Sequence, residues 1–330
     1  MLKVQSGARY AGRIAICALA ALVVPWSLVH AGRAIQERRA ADPQGEVEIV
    51  NLTGMVEVHG WDRNEVEVGG TAGENVERVD VSSAGNRTSI HVVSRSAHSW
   101  GSDGEAHLIV HVPAKSAVMA TLVSADFKVT GLSGDLKLQT VSGRVSGEVS
   151  GDVRATTVSG DVQLTARAAK AIEIKTISGD IRLMGGGGEV DITSVSGHAT
   201  IELSDVTRGR FKSVSGDLTA ALTLMPEGQL DSESVSGNVS LKFASTPNAE
   251  FDVQSFSGDI RNCFGPKPME SRYGPGSRLQ FKNGEGHAHV RVNTKSGDVE
   301  LCTKGMNSGR VSTLSFPQVA RLTRVLPYVY

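Results

Sequence analysis

Ser-Gly-Asp is the constellation in this sequence that invites chemistry. It stands at Ser159-Gly160-Asp161, Ser178-Gly179-Asp180, Ser215-Gly216-Asp217 and Ser257-Gly258-Asp259. A hydroxyl beside a carboxylate is the raw material of a nucleophilic site. Such a site needs one specific base and one place for the oxyanion. Here the central Ser recurs at 133, 142, 150, 159, 178, 196, 215, 236, 257 and 296. Corners that repeat so often cannot each be an active site, and no Gly-x-Ser-x-Gly elbow accompanies them. The Ser is instead expected to hydrogen-bond the local turn backbone, so no catalytic residue is assigned.

The carboxylates form their own series: Asp135, Asp152, Asp161, Asp180, Asp217, Asp259 and Asp298 hold one place in their repeats, which Arg144, His198 and Asn238 interrupt. A row of carboxylates could bind Ca²⁺, which takes 6–8 oxygens. The glycine-rich nonapeptide of calcium-binding β-rolls is missing, so these Asp are expected to be solvated, with no metal and no cofactor. His107 and His111, and His287 and His289, lie two apart, on one face of a strand. Two His do not close a zinc site, which wants three or four ligands. Gly185-Gly186-Gly187-Gly188 lacks the Lys-Ser/Thr of a phosphate loop. Cys263 and Cys302 each fall six residues after a corner Ser, Ser257 and Ser296. Two readings stay open for them: a disulfide, natural in an exported protein, or two buried thiols in one apolar column.

The elements that position these residues follow from the spacing. The Ser positions are 9, 8, 9, 19, 18, 19, 21, 21 and 39 residues apart, so the unit is about 19 residues long. In Glu189–Val195 and His198–Leu203 apolar and polar residues alternate, the strand period of two. Ser196-Gly197 interrupts them, and Gly supplies the positive φ of a tight turn. Each unit is therefore strand, Ser-Gly corner, strand, variable corner. The residue two before the corner Ser is hydroxylic (Thr140, Thr157, Thr176, Ser194, Ser213, Ser234, Ser255, Thr294), and the residue three after it is nearly always aliphatic. One residue type at one place in every unit suits columns stacked about 4.8 Å apart. The expected fold is thus all-β, a β-solenoid of two-strand coils of ~19 residues with Ser-Gly corners. An antiparallel meander is the alternative, and the half-spaced copies between Ser133 and Ser159 favour it.

With 330 residues, 37 Gly and 5% aromatics, the composition suits corner-rich β structure with small side chains. A net charge of −1 predicts no affinity for nucleic acid or for an anionic membrane. Residues 1–31 read as a secretory signal peptide: Lys3, Arg9 and Arg13 precede the apolar run Ile14–Val29, and Val29-His30-Ala31 offers a cleavage site. The alternative is an uncleaved membrane anchor, although a run of 16 residues broken by Pro25 is short for a span. Cys17 lacks the context for lipoprotein processing. Residues 32–44 read as a polar linker and 45–303 as the repeat domain, in which 263–285 forms a Pro- and Gly-rich excursion. Residues 304–330 are a tail without the pattern.

The repeats, together with the lead-in Leu108-Ile109-Val110-His111-Val112-Pro113-Ala114-Lys115, resemble the bacterial β-strand-repeat proteins labelled "putative adhesins", whose domain is of unknown function. The resemblance covers about residues 45 to 303. It implies an exported protein of the bacterial envelope (periplasm, cell surface or medium), and gives no binding residues. The function expected is a non-enzymatic scaffold or adhesin-like surface. Its partner would be an envelope or surface glycan or protein, with membrane contact only through an uncleaved N-terminus. A carbohydrate-active solenoid enzyme and a membrane-tethered periplasmic sensor domain are the rival readings. The first lacks aromatic platforms, with four Tyr, three Trp and eight Phe in the chain.

Overall fold

The computed structural model describes residues 33–95, 105–270 and 276–305. The expected signal peptide, Cys17 and residues 306–330 of the tail lie outside the described residues. The described chain is all β. Its leading strands are β1 (Arg33–Ala40), β2 (Glu46–Trp61), β3 (Glu65–Ala72), β4 (Val76–Ala84), β5 (Arg87–Ser94) and β6 (Ala106–Pro113). The repeats follow as β7 (Ala117–Leu132), β8 (Leu136–Ser142), β9 (Val145–Val149), β10 (Val153–Ser159), β11 (Val162–Ala166), β12 (Ala171–Ser178), β13 (Ile181–Met184), β14 (Gly188–Ser196), β15 (Ala199–Ser215), β16 (Leu218–Ser236) and β17 (Val239–Phe243). The chain ends in β18 (Ala249–Ser257), β19 (Ile260–Asn262), β20 (Met269–Glu270), β21 (Ser277–Lys282), β22 (Ala288–Ser296) and β23 (Val299–Thr303).

One unit shows why the strands form where they do. In β12 the alternation buries Ile172, Ile174 and Thr176 and exposes Lys175 and Ile177; after the corner, β13 buries Ile181 and Leu183. Each buried aliphatic side chain contributes about 1.5–3 kcal/mol relative to exposure. Strands before the Ser-Gly corner pair in parallel with their counterparts in the neighbouring units: β8 with β10, β10 with β12, β12 with β14. Strands after the corner do the same: β9 with β11, β11 with β13, β13 with β15. Corner matches corner, Ser142↔Ser159↔Ser178↔Ser196↔Ser215↔Ser236. The parallel pairing excludes a meander for these units. The apolar core, including Leu138, Leu164, Ile174, Leu183 and Phe211, is continuous along them.

The half-spaced Ser residues are explained by a second corner. Ser133-Gly134-Asp135 and Ser150-Gly151-Asp152 sit where later units have their variable corner, so β7 to β10 carry Ser-Gly at both ends of the unit. The ten Ser therefore belong to two columns. A further copy, Val123-Ser124-Ala125-Asp126, escapes the motif because Ala replaces Gly; Ser124 pairs with Ser142 and Thr53 with Ser124.

The stack does not follow chain order at its end. β22 lies between β16 and β18, and β23 lies between β17 and β19. The corner order is Ser236, Ser296, Ser257, so the last unit in the sequence is slotted between two units that precede it. The step of 39 residues reflects this insertion rather than two consecutive units. The excursion at 263–285 supplies β21, which closes the far edge of β18 as an antiparallel strand. At the opposite end β1, β3 and β6 form an antiparallel ladder, and β4 pairs antiparallel with β5. Among the described residues, antiparallel pairs occur only in these two end regions, where they occupy edges that would otherwise template further strands. The expected linker at 32–44 is corrected here: Arg33–Ala40 is strand β1, with Ile35 turned to the core and Arg38 bonded to Glu67 at 2.7 Å. Its charges suit an exposed edge, which is why it reads as a linker.

Candidate functional site

Each corner presents a buried hydroxyl, a glycine and three outward side chains. The hydroxyl two residues before the corner Ser is buried: Thr140 5% exposed, Thr157 1%, Thr176 3%, Ser255 3%. Some of these hydroxyls bond backbone carbonyls at the corner, as expected of the corner Ser, whereas those of Thr157, Thr176, Ser194 and Thr294 are buried without a hydrogen-bond partner. Ser213 Oγ donates to the Gly216 carbonyl at 3.2 Å, Ser234 Oγ to that of Gly237 at 3.3 Å, and Ser255 Oγ to that of Gly297 at 3.0 Å. The corner Ser residues at 159, 178, 215 and 257 point outward and are exposed.

Gly216 has φ +129°, and a Cβ there would collide with the backbone of Gly197 in the unit beneath. Gly160 does not adopt positive φ, contrary to expectation; its Cβ would meet the Gly143 carbonyl, so close approach of two backbones is the requirement there.

The Asp carboxylates are not simply solvated. Asp161 Oδ1 accepts the Asp180 backbone N–H at 3.0 Å, and Asp180 Oδ1 accepts that of His198 at 2.9 Å. Asp217 accepts from Asn238 at 2.8 Å, Asn238 Oδ1 from Asp298 at 2.9 Å, and Asp298 from Asp259 at 2.9 Å. Each of these side chains ties its own unit to the next. Asp135 and Asp152 do the same at the second corner, where Asp152 Oδ1 accepts from Lys170 and Ala171 at 2.9 and 3.0 Å. They do not share a column with Asp161.

Beside the Ser row runs an apolar ridge that the sequence motifs alone do not reveal. The residue immediately before each corner Ser or Thr is Leu52, Val123, Val141, Val158, Ile177, Val195, Val214, Val235 or Phe256, all between 38% and 71% exposed. Only Lys295 departs from the apolar type. The signal was present in the sequence as Val-Ser-Gly, but the alternation gave no reason to single out an outward Val.

The outer face of the strands before the corner carries charges in register. Lys137, Arg154, Glu173, Asp191, Arg210, Asp231 and Arg291 follow one another across the units. They bond across units, Arg154 to Glu173 at 2.5 Å, Arg210 to Asp191 at 3.5 Å and Arg291 to Asp231 at 3.8 Å. Lys175 and, next, Arg154 hold the Glu173 carboxyl below its ordinary range, and Arg167 does so for Glu148. A groove of about 670 Å³ opens over this face, lined by Lys137, Asp152, Arg154, Glu173, Asp191 and Arg210.

The histidines do not converge. His111 stacks on Trp61 at 4.9 Å and lies 5.3 Å from His59, whereas His107 lies beside Glu105. His287 faces Glu285 at 2.9 Å and His289 faces Glu250 at 3.7 Å. His198 enters the Asp row, but its Nδ1 stands 3.9 Å from Asp217 Oδ2 with both groups exposed, too far for a relay. Among the described residues, no group of three or more His, Cys, Asp or Glu is arranged to hold a metal ion. Cys263 and Cys302 are joined across β19 and β23, with their Cα atoms 4.9 Å apart, because the inserted last unit lies directly against that of Ser257.

Parallel units in register, capped by antiparallel strands and bearing one repeated corner, define a β-repeat protein. The Toastrack DUF4097 family matches residues 46–302, and the chain belongs to that family, a domain of unknown function. No curated protein matches it. Similar solved structures include a "putative adhesin" from Parabacteroides distasonis, with 13% identity and a TM-score of 0.45 over 82% of this chain and 98% of that one. Another is a "putative adhesin" from Bacteroides fragilis, with 10% identity and a TM-score of 0.43 over 81% and 96%.

Proposed function

We propose that this protein is an exported, non-enzymatic β-solenoid that serves as a scaffold or adhesin-like surface in the bacterial envelope. The observation that carries the reading is repetition. The same corner recurs in register from Thr53 to Ser257, and its polar groups bind neighbouring units instead of converging on one reacting atom. Such a surface suits an extended partner, a glycan or protein of the envelope. The charged groove over Arg154 and Arg210 is the face it would meet. Residues 1–31 serve as the export signal, and the Cys263–Cys302 bond forms after export, where thiols oxidise.

The test is a binding screen of the exported protein on envelope glycans and intact cells, with Arg154→Glu/Arg210→Glu alongside. Saturable binding that the variant loses is expected. Turnover of a glycan, or a native protein found with its N-terminus intact in the cytosol, would contradict the proposal.

A further inference from the structure

The apolar ridge on the Ser-Gly corner is too regular to be incidental. Nine of its ten positions are Leu, Val, Ile or Phe, all exposed. Scattered single apolar residues are ordinary on a surface, whereas a contiguous apolar line marks a contact. Ten rungs at about 4.8 Å span roughly 43 Å. On the same corner lie Asp126, Asp161, Asp180, Asp217, Asp298 and Asp259, with Arg144, His198 and Lys295 as the cationic interruptions. The occupant should therefore be apolar and basic.

This chain contains such a segment. Residues 306–330 hold Val311, Leu314, Phe316, Val319, Leu322 and Val325 together with Arg310, Arg321 and Arg324, and no Asp or Glu, although the whole sequence has 35 acidic residues. The segment begins just after Gly305, which follows β23, in the unit next to that of Phe256. Phe256 is the most exposed member of the ridge at 71%. Twenty-five residues reach up to about 80 Å when extended, enough to cross a unit and follow the ridge. A second copy docked by its own ridge would set the same acidic row against this one.

We infer that residues 306–330 lie along this ridge, covering its Val, Ile and Phe side chains and placing Arg310, Arg321 and Arg324 against the Asp row. This goes beyond the scaffold reading, which concerns the charged groove on another face.

The test uses the full chain with a photo-crosslinking amino acid in place of Ile177. The exposed site tolerates the change, and circular dichroism checks the fold. Illumination should join position 177 to a peptide from 306–330 of the same molecule. The yield should fall as salt rises and should be lost in Arg310→Glu/Arg321→Glu/Arg324→Glu. Capture of a second copy, capture of another part of the chain, no capture at all, or a yield unchanged by the three Glu substitutions would each overturn the inference. None of these outcomes bears on glycan binding by the groove, so the two proposals fail separately.

Discussion

Asp180 works through one oxygen. That oxygen accepts a backbone N–H of the next unit, and the other side of the carboxylate faces solvent. Asn offers the same oxygen, as Asn238 shows in its own rung. We therefore expect Asp180→Asn to change unfolding free energy by well under 1 kcal/mol, and Asp180→Ala to cost about 1 kcal/mol for the lost acceptor. Gly216→Val should cost more than either, of order 1–3 kcal/mol from the backbone conformation alone, with the collision against Gly197 added. Denaturant unfolding of the three variants checks the ranking. The sequence reveals the buried hydroxyl column and the need for glycine, because both repeat at one place. It does not reveal the Asp bond, because the acceptor and its donor lie in different units.

At the scale of elements, the inserted last unit has the largest consequences. β22 and β23 fill a gap between strands that come earlier in the chain, so the units of Ser236 and Ser257 meet no partner on those edges until they arrive. The Cys263–Cys302 bond closes a loop with a separation of 39 residues and ties the inserted unit to its outer neighbour. Loop-closure entropy gives about 4 kcal/mol as its ideal contribution. The double variant Cys263→Ser/Cys302→Ser should lose 2–4 kcal/mol or so in thermal or denaturant unfolding; a loss near zero would show that the bond is not formed.

The charged columns should give these strands an acid dependence. Lys175 and Arg154 depress the folded-state value of Glu173. Its contribution is then complete above the unfolded value of about 4.3 and lost as pH falls through the lower folded value. Glu173→Gln should flatten the decline in unfolding midpoint below about pH 4.5. The effect should be small, since surface pairs contribute about 0–1 kcal/mol. Matched residue types foretell parallel columns but not the order of the rungs. Only the long step after Ser257 hinted at it, and the charged residues of β1 concealed a strand.

For the molecule as a whole, the expected all-β architecture and the family were legible, because the period and the Ser-Gly corner recur through most units even where Val gives way to Ile177, Phe256 or Lys295. The display surfaces were not. The ridge and the charged face exist only once units are laid side by side, so their residues look ordinary in the sequence. The scaffold reading depends on that stacking, and in particular on which rung touches which. Glu233 pairs with Asn293, and Asn293 with Gln254, all on the outer face. Adjacent rungs lie about 4.8 Å apart and alternate ones about 9.6 Å, while a disulfide needs Cα atoms within about 7 Å. The decisive measurement is oxidation of two cysteine pairs in the native protein, Glu233→Cys/Asn293→Cys and Glu233→Cys/Gln254→Cys, scored by mass spectrometry. The account requires the first pair to close and the second to stay open. Closure of the second pair, with the first open, would mean that the units stack in chain order, contradicting the insertion.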